Sequence, residues 1–414
     1  MVDEHAPTSS FTLRVAANDG AWLGQLYGLM PDSPKSTFVP DRLVVDAHVP
    51  LTTSGASLSA VARLAGVPFL VDPETYYLQD IQDPSAPWCK TPFGSTKAHS
   101  PTELLNPAFQ EDLVSKVVDY QLEQGATAII APYIHIERPD DGWIWVQRDL
   151  WHHTRTYLRQ SGINLPVVAV LALGWRCLQP ATFRHLAPLW EPLSTLGPQE
   201  VALAASKSHL GAHPEDRIAD LLMFVQRLAD AYSITMWQQG LLGEACVIAG
   251  ASGYECGAGW RESCDLRNRM ATYRRPRSGH PAARPVYISA LGRSIPKKRL
   301  ELARQKRPLW GRLICSFADC CAPNGQDLLQ DARSHDVVAR VRELVALSTT
   351  SAVNWRWNRI AQRLEEGLVV AEQLNSLAPS SSATPQIDLG GLRALYHVAD
   401  VRRSRRGRRV RRTA

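Results

Sequence analysis

The feature that most constrains this chain is an alternation of short β-rich apolar runs with segments of helical spacing. Eight such runs can be drawn, at 43–48, 69–74, 128–133, 167–173, 200–206, 233–238, 285–291 and 311–317. Apolar residues at helical spacing fill 57–65, 109–124, 150–161, 180–193 and 216–232. Gly66, Gly125 and Gly162 follow three of these segments, where a left-handed helix cap is expected. Near-continuous apolar strands separated by helices are what a parallel sheet covered by helices requires. The predicted fold is therefore α/β, a (β/α)8 TIM-type barrel over 41–347. Residues 1–40 read as an N-terminal extension packed over one end. Residues 348–378 read as a C-terminal helix on the barrel, and 379–414 as a linker with an arginine-rich tail. An open doubly wound sheet fits the same local pattern, but no Gly-x-Gly-x-x-Gly opens a helix after the first strand. The stretch 240–251 reads as a short helix, with a ninth strand at 246–251 as its rival, and 253–257 as chain crossing the barrel mouth.

Composition enters through what it excludes. Hydrophobic residues at 45% and charged residues at 21% of 414 supply an ordinary buried core. No apolar run approaches the roughly 20 residues of a membrane span. The start Met1-Val2-Asp3-Glu4 has no basic region ahead of an apolar one, so the expected location is cytoplasmic. Net charge is +6, yet eight arginines lie within 402–412, and removing them leaves the remainder at −2. The basic balance belongs to the tail, which is either solvated or set against RNA or DNA phosphates. Eight cysteines in such a chain point to buried thiols rather than a disulfide framework.

In a barrel, chemistry lies at the C-terminal ends of the strands, and side chains two apart share a face. Asp46 with His48, Asp72 with Glu74, and Tyr133 with His135 pair up in this way. Lys207, His209 and Gln238 end later strands. Asp46, Asp72, Glu74 and His135 are the candidate catalytic groups, because neighbouring carboxylates shift one another and supply an acid and a base. Taken singly, each is more readily a hydrogen-bonded loop residue; taken together they favour function. The segment 253–262 offers glycines for close approach to a flat or phosphorylated ligand. Glu255, Gly257, Trp260, Arg261 and Glu262 are its candidate contacts. His48, Tyr133, Lys207, Gln238 and Arg293 complete the predicted substrate-binding set, Arg293 as a phosphate contact after the seventh strand. Lys207 is a Schiff-base lysine only if desolvated, and otherwise a surface lysine. Cys315, Cys320, Cys321 and His335 are the ligand set of a structural Cys3His zinc site, with a buried thiol cluster as the alternative.

A barrel, a glycine-rich loop ending in an acid after the sixth strand, cysteines with a later histidine after the eighth, and a basic terminus together resemble the tRNA-guanine transglycosylase group. The resemblance lies in feature order over roughly 230–340. Residues 253–262 stand where that family has a Gly-Gly-Leu-Ala-type base loop. Neither its Cys-x-Cys-x2-Cys motif nor its Pro-Thr-Arg segment is present. It implies a purine-like base in the barrel mouth, an aspartate nucleophile at a strand end and a structural zinc. The functional expectation is an enzyme acting on a base- or nucleoside-like substrate, free or within RNA or DNA, by base exchange or a glycosidic-bond reaction. A metal-dependent hydrolase or lyase using Asp46, His48, His135 and His209 is the rival. An inactive barrel tethered to nucleic acid by its tail is the non-enzymatic one.

Overall fold

The structure is a computed structural model that describes residues 9–31, 35–276, 283–315, 317, 320–321, 325–381 and 384–410. Nine strands form one parallel sheet: β1 Ser10–Val15, β2 Arg42–Asp46, β3 Phe69–Asp72, β4 Ile129–Ile130, β5 His135–Ile136, β6 Val167–Gly174, β7 Glu200–Ser206, β8 Ile234–Met236 and β9 Gly253–Gly257. Their order is β3-β2-β1-β9-β8-β7-β6-β4, and β5 also pairs with β6. β4 and β5 are thus two pieces of one stave. The Thr127 amide donates to the Phe69 carbonyl at 2.8 Å and brings the β4 end against β3. Eight staves so arranged, with helices between them, make a nearly closed TIM-type barrel.

Two predicted staves are corrected. Ser10–Val15 is a full strand, hydrogen-bonded to β2 on one side and β9 on the other, so the barrel begins well inside the expected extension. Gly253–Gly257 is the last stave and does not cross the mouth. Residues 285–291 hold a real strand, β10 Val286–Ile288, but it pairs antiparallel with β11 Arg293–Ile295 outside the barrel. Residues 311–317 hold no strand: a helix runs from Arg307 to Leu313. The helix reading of 240–251 holds, as Gly243–Ala249.

Strand parity explains the interior. Phe11, Leu13 and Val15 bury their side chains with the helices, while Thr12 and Arg14 alternate inward. Near the N-terminal ends, Arg42 of β2 crosses to Glu200 of β7 through a paired contact of 2.8 and 2.9 Å. Near the C-terminal ends, Arg14 meets acids from three other staves. This barrel is therefore filled partly by charge, which only partners within the barrel make tolerable.

Helices follow the predicted faces. Leu58–Ala65 ends at Gly66 (φ 69°), whose amide donates to Ala62, a conformation that glycine adopts without a Cβ clash. Beyond the barrel, Ala332–Ser348 and Val353–Ser376 pack on it. Residues 379–381 and 384–388 hold no helix or strand, as a linker should, and Leu389–Val410 is one helix rather than a loose tail. Arg402 lies 5.2 Å from the Trp357 ring and Arg403 bonds Asn358, so the start of the basic run is docked. The side chains beyond Ser404 lie outside the described residues. None of the described helices is long and apolar enough to cross a membrane.

Candidate active site

Arg14 is the centre of the site. It is fully buried, and its guanidinium bonds Asp46 of β2 at 2.5 Å, Asp72 of β3 at 2.9 Å and Glu255 of β9 at 2.8 Å. The register places Asp46 beside Asp72, so the acids converge because their staves are neighbours. A second arginine, Arg261, closes the cluster from above and bonds both Asp46 and Glu74, the latter at 3.1 Å. Tyr133 donates to Asp72 at 2.8 Å and Tyr76 to Glu74 at 2.9 Å. Four carboxyl groups thus share two guanidiniums. With every group ionised, the cluster would carry −2 in a medium that solvates charge poorly.

The cluster relieves that excess by splitting its acids. Burial alone would raise the Asp46 carboxyl, but Arg261 and then Arg14 overcome it and hold Asp46 below its ordinary value. At Glu74, burial dominates, the Asp46 charge adds to it, and Arg261 offsets only part, so the carboxyl is pushed up to about 8. Asp72 and Glu255 are also raised by burial, against the pull of Arg14. The two neighbours are thus displaced in opposite directions, Asp46 toward its ionised form and Glu74 toward its protonated one.

Backbone strain gathers at the same place. Glu74 (φ 48°), Gln238 (φ 56°) and Arg261 (φ 55°) are non-glycine residues in the left-handed region, and all three belong to this cluster or touch it. Such conformations persist only where surrounding contacts over-determine them, and they concentrate at working sites. Above the cluster opens a cavity of about 530 Å³, with Asp46, His48, Tyr77, Trp260, Arg261 and Tyr273 in its walls.

The predicted residues sort as follows. Asp46, His48, Trp260 and Arg261 line the cavity, while Asp72, Glu74, Tyr133 and Glu255 form the buried floor beneath it. His135 is elsewhere: its Nε2 faces Glu137 at 3.0 Å and its Nδ1 the Ala172 carbonyl. It does not join the catalytic set, and neither it nor His209 joins Asp46 and His48 as a ligand. The close trio is instead Asp46, His48 and Glu74, with ligand atoms within 4.8 Å of one another. Lys207 stands 3.7 Å from Asp265, off the cavity wall. Gln238 accepts from Arg269 at 2.9 Å. Glu262 bonds Arg340 and Ser294, turned from the cavity. Arg293 is on β11 and reaches the Asp388 carbonyl, so no phosphate position arises there. Gly257 is a packing glycine: a Cβ would lie 2.5 Å from the Trp260 indole nitrogen. Arg14, Tyr77, Ser263 and Arg269 went unpredicted. The one available signal was the period-two pattern of Ser10–Val15, with Arg14 on its polar face.

A second group converges as the sequence predicts. Cys315, Cys320, Cys321 and His335 bring one ligand atom each to within 4.8 Å of the others. His335 Nδ1 is 3.2 Å from the sulfurs of both Cys320 and Cys321, which are 3.8 Å apart. Its Nε2 lies 3.0 Å from the Tyr287 carbonyl, which can only accept a hydrogen bond, so in the neutral ring Nε2 donates there and the Nδ1 lone pair faces the thiols. These residues could hold a metal ion.

No protein-family model matches the chain, and no curated protein matches it. Among solved structures it is similar to the HMG-CoA lyase of Brucella melitensis, at 14% identity over 61% of this chain and 82% of that one, with a TM-score of 0.34. A modular endo-β-1,4-mannanase from Cellulomonas fimi gives 13%, 69%, 78% and 0.36 in the same order. Dihydrodipicolinate synthase from Oceanobacillus iheyensis gives 10%, 97%, 99% and 0.28. The fold assignment rests on strand order and register, and these likenesses carry no argument about chemistry.

Proposed function

We propose that the chain is a barrel enzyme that breaks or exchanges a glycosidic bond in a base- or nucleoside-like substrate. One observation carries the reading: Asp46 and Glu74, adjacent carboxyls shifted in opposite directions, sit at the barrel mouth where Asp46 opens on the cavity. An ionised Asp46 on the cavity wall is placed to attack an electron-poor carbon or to stabilise its developing charge. A Glu74 that keeps its proton at neutral pH is the matching acid, and its Oε2 lies 3.9 Å from His48 Nδ1, which leads to the cavity. The separation of these groups, within 4.8 Å, suits two carboxyls acting on one bond through a covalent step. Aromatic walls from Trp260, Tyr77 and Tyr273 around about 530 Å³ suit a flat ring system. The test is release or exchange of labelled base from purine and pyrimidine nucleosides and from RNA. Turnover by the wild type that is lost in Asp46→Asn supports the reading. Full turnover by Asp46→Asn contradicts it.

The metal-dependent hydrolase or lyase reading has one observation in its favour, the Asp46, His48 and Glu74 trio. A divalent ion there would offset the excess negative charge. Arg261, however, already bridges Asp46 and Glu74 where such an ion would have to stand. Turnover abolished by a chelator and restored by a divalent ion would favour this alternative.

At the cysteine cluster we assign zinc in a structural role. Thiolate and imidazole ligands suit it, and sulfurs 3.8 Å apart match the roughly 3.8 Å spanned by two bonds of about 2.3 Å at a tetrahedral ion. Elemental analysis is expected to give one zinc per chain, lost in Cys320→Ser; a metal-free, fully stable wild type contradicts it. We propose that the arginine run contacts RNA or DNA through phosphates, a role that salt dependence tests.

A further inference from the structure

Each acid that lines the mouth cavity has its own cation. Asp46 is held by Arg14 and Arg261, and Asp265 lies 3.7 Å from Lys207. Arg269 also lines the cavity but has no ion pair among the described residues. Its one hydrogen bond there goes to a neutral group, the Gln238 side-chain oxygen, and its Nε is buried without a partner. Gln238 holds that oxygen in place from a strained backbone (φ 56°) while its own amide donates to Glu255. A cation on the cavity wall that is fixed by a neutral residue instead of an acid is left to meet an anion that arrives from outside.

Ser263, on the same cavity wall, supplies a second donor. Its hydroxyl is 3.1 Å from His209 Nε2, and His209 is buried with no partner at Nδ1. Burial pushes His209 down to about 4, so the ring is neutral and carries one N–H. On Nδ1 that hydrogen would be a buried orphan donor, whereas on Nε2 it is given to Ser263. The Ser263 oxygen is then an acceptor toward His209, and its own hydrogen is free to turn into the cavity.

We propose that this cavity is a receptor for an oxyanion on the substrate, a phosphate or a carboxylate, to which the Arg269 guanidinium and the Ser263 hydroxyl, both in its wall, donate. The inference rests on the cavity being the substrate site, and not on the reaction that follows. It is tested by calorimetric titration at low ionic strength with inorganic phosphate, with acetate, and with a purine nucleoside against its 5′-monophosphate. Phosphate or acetate is expected to bind the wild type and to lose about tenfold or more in affinity in Arg269→Gln, the loss of one charge-assisted contact. Ser263→Ala, which keeps the cavity and its charge, is expected to lose about threefold. The preferred anion names the group. No binding of either anion to the wild type, or equal binding by Arg269→Gln, overturns the proposal. Anion binding through Arg269 with no gain from the attached nucleoside upholds the receptor and removes support from the nucleoside reading instead.

Discussion

Two buried networks in this molecule have the same inventory and different surroundings. At the mouth, Arg14 and Arg261 share Asp46, Asp72, Glu74 and Glu255. Between the barrel and the C-terminal helices, Arg340 holds Asp336 and Glu262 while Arg363 holds Glu244 and Glu343, and Tyr287, bonded to Glu343 and lying under Arg340, joins the two halves. Both split their acids. Burial first, then a neighbouring carboxylate, pushes Glu343 up to about 7 despite Arg363, while Glu244 is held low by Arg363. A shifted carboxyl therefore does not mark an active site by itself. What separates the networks is access and strain. Asp46 and Arg261 open on the cavity and two mouth residues hold left-handed backbone, whereas no carboxylate of the second network lines that cavity and none has positive φ. The second network fastens the helix Ala332–Ser348 to the barrel: Arg340 reaches the Gly240 carbonyl at 3.1 Å, and Asp336 accepts from the Gly259 amide.

That contrast is broken or sharpened most strongly by neutralising one acid in each network. Asp46→Asn is expected to lower turnover by about 10²–10⁴-fold, the range of a lost catalytic group. Glu343→Gln is expected to leave turnover within about threefold. Comparable losses in both variants would merge the two networks and remove the claim that access decides function.

Stability is expected to treat the networks alike. Arg14→Met leaves Asp72 and Glu255, and Arg340→Met leaves Asp336, buried without their guanidinium, each costing about 3–5 kcal/mol in denaturant unfolding. A loss confined to Arg14→Met would make the mouth cluster the structural one and the second network dispensable.

The pH response gives a smaller and more selective difference. Glu74 and Glu343 both hold their protons more tightly folded than unfolded, so their contribution to stability is complete below the unfolded value near 4.5. It is lost as pH rises through about 8 for Glu74 and about 7 for Glu343. Unfolding free energy is thus expected to decline with pH across this window. Glu74→Gln should flatten the slope up to about 8, and Glu343→Gln only up to about 7. Activity should fall on the alkaline side near 8, and Glu343→Gln should keep that limb. The weakest effect concerns the tail. Deleting 405–414 is expected to reduce RNA or DNA affinity at low salt and leave base release unchanged, with the difference shrinking as salt rises.

The way these networks are built also explains which parts of the molecule were legible in sequence. Staves with apolar faces on both sides, such as Val167–Gly174 and Glu200–Ser206, read as strands almost to the residue. The two staves that escaped were Ser10–Val15 and Gly253–Gly257, and they deliver Arg14 and Glu255 to the interior. Their inward faces carry Thr12, Arg14, Gly253, Glu255 and Gly257, so neither shows the continuous apolar run of a barrel strand. The charge that makes the site is what hid the strands that carry it. The acids at Asp46, Asp72 and Glu74 were legible because strand parity and barrel geometry suffice to place them. Of the guanidiniums that bind them, Arg14 was not legible and Arg261 was read as a ligand contact, since nothing local links either to acids on other staves. The cysteine cluster was legible from spacing although Cys315 follows a helix rather than lying in a strand.

The central claim is that Glu74 keeps a proton at neutral pH beside an ionised Asp46, and infrared difference spectroscopy of carboxyl groups tests it directly. Wild-type protein at pH 7 is expected to show a protonated carboxyl band that is absent in Glu74→Gln, persists in Glu343→Gln and titrates away near pH 8. A spectrum at pH 7 that is unchanged by Glu74→Gln would contradict the account.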